Sequence, residues 1–295
     1  MKGGVYLNVL KHIYQELSLL GLSHDKIGDL KEIRNQNGVY LYRIKYEGKN
    51  LVIKYFKKDK FRREIEYYKI LKNLDIHTIE VIGYTENTLL LEDLDKSLNY
   101  RLGIESDLSD IEVAKALASW YRKLHYEGVK FLKNNDRKFY KEIDYITKEN
   151  IELVMNKTNT RDNKVWQLLI DHLDLIFLKI EEFEETFNYN DFYWTNLVVS
   201  KDKKEAFMFD YNMLGVGFRY SDIRNVCSSL SDEAGDIFVK EYGGINQDEK
   251  EIDEVISTLI GLVQACERSI FPKWVQEELD KVNNGELYKG ILNIL

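Results

Sequence analysis

The chain has 295 residues, 44% hydrophobic and 31% charged, with a formal net charge of -8 and a pI of about 5.4. That composition can build one large core or two smaller ones, and its acidity argues against a nucleic-acid partner, since neutralising phosphates takes clustered Lys and Arg. No apolar run approaches the ~18 residues of a membrane span, the charged N-terminus lacks a signal-peptide apolar core, and two cysteines with five scattered histidines make neither a disulfide framework nor an imidazole metal site, so a cytoplasmic protein is expected.

Taken in chain order, the first ~20 residues predict an amphipathic helix, with Val5, Val9, Ile13, Leu17 and Leu20 at helical spacing. From Asp29 the period changes to that of strands. "DLKEI", "VYLYRIKY" and "LVIKYF" read as three antiparallel strands joined by the turns "RNQNG" and "EGKN". "DKFRREIEYYKILKNL" reads as a helix capped by Asp59, with Phe61, Ile65, Tyr68 and Leu71 or Lys72 along one side. Two more strands, "IEVIGYT" and "TLLLED", complete a five-stranded sheet with one helix inserted after its third strand. From Asp95 on helices dominate. "DIEVAKALASWYRKLHYEG" is expected to stop at Gly128. Two further helices are expected over roughly 139–155 and 164–183. "NLVVS" and "EAFMFD" form a small hairpin across "KDKK". Beyond Ser221 the chain reads as helical again, chiefly in "DEKEIDEVISTLIGLVQACERSI" and "PKWVQEELDKV".

Two places combine polar chemistry with core-like surroundings. In "YNDFYWTNLVVS", Asp191 and Asn196 flank a loop that leads into the hairpin, and Asp210 ends the hairpin's second strand. Two carboxylates and an amide placed there suit phosphoryl transfer. One carboxylate takes the proton of an attacking hydroxyl, while the amide oxygen and the other carboxylate hold Mg²⁺ on nucleotide phosphates. The D-x-x-x-x-N spacing alone is a weak signal. Upstream, Lys54 sits mid-strand between apolar neighbours, where an ammonium is costly to bury unpaired. Glu64 on the following helix is within reach of it, whereas Glu66 falls farther round. A lysine pointing from an edge strand into water is the plain alternative.

The order of these parts resembles the protein-kinase-like superfamily, and within it the aminoglycoside phosphotransferase and choline kinase group. The resemblance covers residues ~29 to 230. It rests on "LVIKYF", on "LASWYRKLHYEG" with Leu124-His125, on "YNDFYWTNLVVS", and on "MFDYNMLGVGFRYSDIRNV". It implies an α+β, two-lobed kinase-like fold. Residues 1–94 would form the N-lobe, an antiparallel five-stranded sheet with one inserted helix behind a leading helix. Residues 95–295 would form a mostly helical C-lobe with a short catalytic hairpin. It further implies Asp191 as catalytic base, Asn196 and Asp210 as Mg²⁺ ligands, Lys54 with Glu64 positioning the phosphates of ATP or GTP, and Asp222 as a conformational residue. Adenine would lie against the backbone of Glu92 to Leu94. Asn35, Asn37 and Gly38 could offer backbone N–H groups to phosphates, and a simple hairpin turn accounts for them equally. Two features depart from the pattern. Tyr189 stands where the group has His, and the phosphate loop has one glycine. No Ala-Pro-Glu segment follows Asp210, which argues against a protein substrate.

The implied activity is transfer of a γ-phosphoryl group to a hydroxyl of a small molecule. The acceptor could be an aminoglycoside, as in antibiotic resistance, or choline, ethanolamine or a sugar. Acidic runs at 181–185, 231–236 and 248–254 fit either a cationic acceptor or ordinary helix solvation. Tyr193, Trp194 and Tyr211 fit either a cage for a quaternary ammonium or core packing. Trp120, Trp166 and Trp274 read as core or interface, and His125 as structural. A rival from another class is a non-catalytic nucleotide-binding protein of the same fold, which the Tyr189 and glycine-loop departures favour.

Overall fold

The computed structural model describes residues 2–295, with side chains described from Val9 onward. Helix α1 (Lys2–Leu19) is followed by strands β1 (Lys31–Gln36), β2 (Val39–Tyr46) and β3 (Lys49–Phe56), helix α2 (Asp59–Asn73), and strands β4 (Val81–Tyr84) and β5 (Thr88–Glu92). These five strands form one antiparallel sheet in the order β1-β2-β3-β5-β4. Next come β6 (Tyr100–Leu102), α3 (Ile111–Lys133), α4 (Lys148–Lys157), α5 (Lys164–Glu181) and β7 (Thr186–Asn188). They are followed by β8 (Leu197–Ser200), β9 (Ala206–Met208) and β10 (Gly215–Gly217). Helices α6 (Arg219–Cys227), α7 (Asp232–Tyr242), α8 (Gln247–Cys266), α9 (Val275–Asn283) and α10 (Glu286–Ile294) close the chain. No described helix is long and apolar enough to cross a membrane.

The chain divides into two compact units. One comprises residues 1–120 and 191–214, the other residues 121–190 and 215–295. In the first, alternate residues of the sheet form one apolar face. Tyr42, Ile44, Ile53, Tyr55 and Leu90 pack there against Val9, Ile13 and Leu17 of α1. Val5 of the expected helical stripe lies outside the described side chains. The opposite face carries the intervening residues. Arg34, Leu41, Lys54 and Leu89 stand in one row across four strands, and residues directly opposite one another project to the same side of a sheet. The second unit is built around Trp166, Leu169 and Leu173 of α5, packed with α4, α8 and α10.

Several expected boundaries move for identifiable reasons. Both turns of the three-stranded meander are tighter than expected. Asn37-Gly38 and Glu47-Gly48 each close a hairpin with both residues at positive φ, the geometry of a two-residue primed turn. Asn35 therefore belongs to β1, opposite Tyr40. The N-cap of α2 is Lys58. Asp59 is the first helical residue and makes no cap hydrogen bond, so it serves through the helix dipole and its ion pair with Arg62. The α3 helix does not end at Gly128 but runs on to Lys133. A Cβ at Gly128 would lie 2.6 Å from Thr186 Oγ1 and 2.7 Å from Phe187 N, so the glycine lets β7 approach the helix rather than stopping it. Residues 139–147 hold only a short 3-10 turn, and α4 begins at Lys148 after the Thr147 cap. Strands β6, β7 and β10 were not foreseen. They are three residues long and pair with distant partners, β6 with β8 and β10 with β7, so they leave no periodic signal.

Replacing Gly128 with Ala gains helix propensity but forces a methyl into the β7 backbone. We expect a net loss of about 1–3 kcal/mol, the range of core overpacking, measured as a lowered denaturant midpoint at unchanged m-value.

Candidate active site

Lys54 projects from β3 onto the face away from α1 and is 5% exposed. Its ammonium lies 2.7 Å from Glu64 Oε1 and 2.8 Å from Asp210 Oδ1. Glu64 on α2 is fully buried, on the side of the helix lined by Ile65, Tyr68 and Leu71. Burial opposes the Lys54 charge, yet Asp210 and Glu64 outweigh it and hold the ammonium above its ordinary pKa. For Glu64 burial is the largest influence and pushes the carboxyl up to about 7, only partly countered by Lys54. The geometry supports the ion pair, because a cation contacts both carboxylates at hydrogen-bond distance.

Asp210 stands two residues beyond the end of β9, not within the strand, with left-handed backbone at φ 63°. Its Oδ1 also accepts from the Asn212 side-chain amide. Arg63 of α2, which the sequence reading passed over, grips this turn by donating to the Asn212 carbonyl at 2.8 Å. Tyr211 is not part of an aromatic cage. It is fully buried, stacks edge-on against Tyr68 at 4.8 Å and donates its hydroxyl to the Met208 carbonyl. Tyr193 and Trp194 are exposed.

Asp191 is partly buried, and Asn196 Nδ2 donates to its Oδ2 at 3.1 Å. Burial and then the nearby Asp210 charge raise the Asp191 pKa, while Asn196, Arg34 and Lys54 pull it down. A raised carboxylate is a better proton acceptor at neutral pH. Asn196 spends its amide N–H on Asp191, which directs its oxygen elsewhere. Asn212 Oδ1 is buried without a donor. These oxygen atoms suit a hard cation. Among the described residues no group of three His, Cys, Asp or Glu side chains could hold a metal by itself, so an ion on Asn196 and Asp210 would need phosphate oxygens to complete its shell.

The peptide leading into Asp191 is anchored within the other unit. Asp222, 1% exposed, accepts from the backbone N–H of Tyr189 at 2.8 Å and of Asn190 at 3.0 Å. His125 Nε2 lies 3.1 Å from the same carboxylate, and its Nδ1 lies 2.7 Å from the Tyr242 hydroxyl. Asn190 is left-handed at φ 62°, a strain the Asp222 bonds hold in place. Tyr189 is buried, and so is Asn188, whose Nδ2 donates to the Phe218 carbonyl at 2.8 Å.

Asn37 and Gly38 form the β1–β2 turn described above. Glu92 donates its N–H to the Glu80 carbonyl at 3.0 Å, so that donor serves the sheet, and the Leu94 carbonyl accepts from Ser97 N at 3.2 Å. Glu92 and Leu94 instead border a small polar pocket of about 210 Å³.

The second unit contains a pocket of about 510 Å³ whose lining includes Asn188 and Asn190, the latter directly preceding Asp191 in the chain. Its walls carry Glu142, Glu181, Asp253 and Trp274. Two members of the acidic run at 248–254 are not surface solvation. Glu249 is buried and accepts from Tyr220 N at 3.0 Å, and buried Asp253 pairs with Arg224 at 2.5 Å. Among the described residues Glu142 has no ion pair of its own, only the Gln264 side chain and the charge of Arg224. Burial raises it to about 7, with Arg224 countering and Asp222 adding to the rise. Asn188 Oδ1, also at this pocket, is buried without a donor. Residue spacing offered no sign of the pocket, because its walls come from five separate segments.

Substituting Asp222 by Ala removes the acceptor of two backbone N–H groups and the partner of His125 Nε2. We expect a loss of about 3 kcal/mol or more, with faster hydrogen exchange at the Tyr189 and Asn190 amides. Because the Glu142 pKa is raised on folding, its contribution is fully present below about 4.5 and lost as the pH rises through about 7. Thermal melts of Glu142→Gln should therefore gain on those of the natural protein as the pH climbs through that window.

Neither protein-family models nor curated protein sequences match this chain. Solved structures do. A choline kinase from Streptococcus pneumoniae aligns with a TM-score of 0.60 over 96% of this chain and 98% of that one, at 14% identity. An ethanolamine kinase from Plasmodium vivax aligns at 0.58 over 90% and 85%, at 14% identity. An aminoglycoside 2′-phosphotransferase solved as its GDP complex aligns at 0.55 over 96% and 99%, at 12% identity. The chain thus has the kinase-like fold shared by choline kinase, ethanolamine kinase and aminoglycoside phosphotransferase.

Proposed function

We propose that this protein is a small-molecule kinase. It moves the γ-phosphoryl group of ATP or GTP to a hydroxyl of an amine-bearing acceptor. The observation that carries the reading is the buried Lys54 ammonium held between Glu64 and Asp210. Such a group is costly to bury for stability alone, and it is the arrangement that holds nucleotide phosphates in kinases. That an aminoglycoside phosphotransferase of this fold holds GDP supports a nucleotide co-substrate.

In this reading residues 1–94 carry the nucleotide-binding sheet, and residues 95–295 carry the catalytic loop and the acceptor site. Lys54, kept in place by Glu64, binds the phosphates, and the β1–β2 turn at Asn37 and Gly38, with Asn35 near the end of β1, lies over them. The Glu92 to Leu94 connection takes the adenine or guanine. Asp191 orients the acceptor hydroxyl and receives its proton. Asn196 and Asp210 would hold Mg²⁺, which when bound neutralises phosphate charge. Most of the rate then comes from positioning and electrostatics. Asp222 fixes the backbone that delivers Asp191.

The 510 Å³ pocket supports a cationic acceptor. Glu142 and Glu181 lack the basic partners that Asp253 and Glu185 have in Arg224 and Lys141. The orphan Asn188 Oδ1 calls for a donor. An ammonium would satisfy both needs.

The test is phosphoryl transfer from Mg-ATP and Mg-GTP to aminoglycosides, choline, ethanolamine and sugar alcohols. We expect one amine-bearing class to be phosphorylated, and Asp191→Ala to reduce kcat by about 10²–10⁴-fold with little change in nucleotide affinity. Full activity in Asp191→Ala would overturn its assignment as base.

A further inference from the structure

The β1–β2 hairpin contains a cation that the roles above leave unused. Arg34 stands in the same cross-strand row as Lys54, with Leu41 between them. The other face of the sheet is closed by α1, so Arg34 and Lys54 project to the side where Glu64 and Asp210 lie. At ~4.8 Å per strand, their backbones stand about 10 Å apart, a separation that two long side chains converging on a triphosphate can span.

The bonding of Arg34 differs from that of every other arginine in its unit. Arg43 is paired with Asp93, Arg62 with Asp59 and Arg101 with Asp107, while Arg63 holds the Asn212 carbonyl. Arg34 makes no ion pair. Its guanidinium rests on the neutral Gln36 Oε1 at 2.8 and 3.1 Å, on an exposed strand. Its charge is nonetheless felt at Asp191, ahead of that of Lys54. The hairpin has one glycine, Gly38, and the turn itself uses it. A loop so poor in glycine cannot wrap several backbone N–H groups around phosphates. A guanidinium offers a planar pair of donors matched to phosphate oxygens.

We propose that Arg34 is a phosphate ligand of the nucleotide, exchanging Gln36 for the terminal phosphates and neutralising the group in transfer. In that transfer the acceptor oxygen bonds to the γ-phosphorus as the bond to the β-phosphate oxygen breaks. The hydroxyl proton goes to Asp191, and the nucleoside diphosphate leaves with the bond's electrons. This assignment rests on the kinase reading above.

The experiment is calorimetric titration of the natural protein, Arg34→Met, Arg34→Lys and Arg161→Met with Mg-ATP, Mg-GTP and the matching nucleosides. Arg161 is exposed and lies in the other unit. We expect Arg34→Met to weaken triphosphate binding about tenfold or more and to leave nucleoside binding unchanged. Arg34→Lys should fall between, and Arg161→Met should match the natural protein. Triphosphate affinity in Arg34→Met within twofold of the natural protein overturns the assignment and leaves the kinase reading standing. Equal weakening of nucleoside and triphosphate also overturns it, marking Arg34 as structural. Failure of the natural protein to bind either nucleotide overturns the kinase reading and the assignment with it.

Discussion

A single buried ammonium constrains most of the first unit. Lys54 is almost without solvent, and the cost of placing a charge there is met by two carboxylates that reach it from different elements. Glu64 comes from a helix 10 positions later, and Asp210 from a turn 156 positions later. The register of β3 must put Lys54 on the face away from α1, since a slip of one residue would drive it into the apolar layer of Ile53 and Tyr55. The α2 helix must present Glu64 beside its apolar stripe. Asp210 must adopt left-handed backbone to turn its carboxylate inward. Loss of Lys54 would leave two carboxylates facing the interior without a cation, which costs far more than the pair contributes.

The second unit is organised around a buried acceptor instead of a buried cation. Asp222 collects two backbone N–H groups and a histidine, and in doing so sets the conformation of Tyr189 and Asn190 just ahead of Asp191. The same segment depends on small residues elsewhere. Gly128 lets β7 lie against α3, and Gly217 leaves room for Asn188 Oδ1, which a Cβ would approach to 2.6 Å. Tyr189 itself is buried in this segment. The loop is held through its backbone N–H groups by Asp222, which His125 from α3 contacts in turn.

Charge in the pocket of the second unit is arranged unevenly. Asp253 and Glu185 have ion-pair partners, whereas Glu142 is desolvated and countered by the Arg224 charge and a hydrogen bond from Gln264. A carboxylate whose pKa is raised by desolvation costs the fold stability as it ionises. The exposed Tyr193 and Trp194 and the buried Tyr211 show a different division of labour from an aromatic cage: one aromatic locks the turn after Asp210, and the others lie at the surface.

How much was legible follows from the range of each interaction. The alternation in "VYLYRIKY" and "LVIKYF", the long stripe of α3 and the Asp191, Asn196 and Asp210 spacing are local patterns, and they were enough to predict the sheet, the helices and the candidate residues. Lys54 and Glu64 were readable as a pair because both lie within one strand-helix unit. The short strands β6, β7 and β10, the continuation of α3 through Gly128, the grip of Arg63 on Asn212 and the burial of Asp253 were not readable. Each is decided by a partner far away in the chain, which leaves no period or motif in the residues themselves. The sequence by itself determined which chemistry-bearing residues exist and on which local elements they ride. Only the tertiary structure decided which of them touch, which are stripped of water, and so which charges must be matched, because burial and long-range contact belong to the packed chain and not to any segment of it.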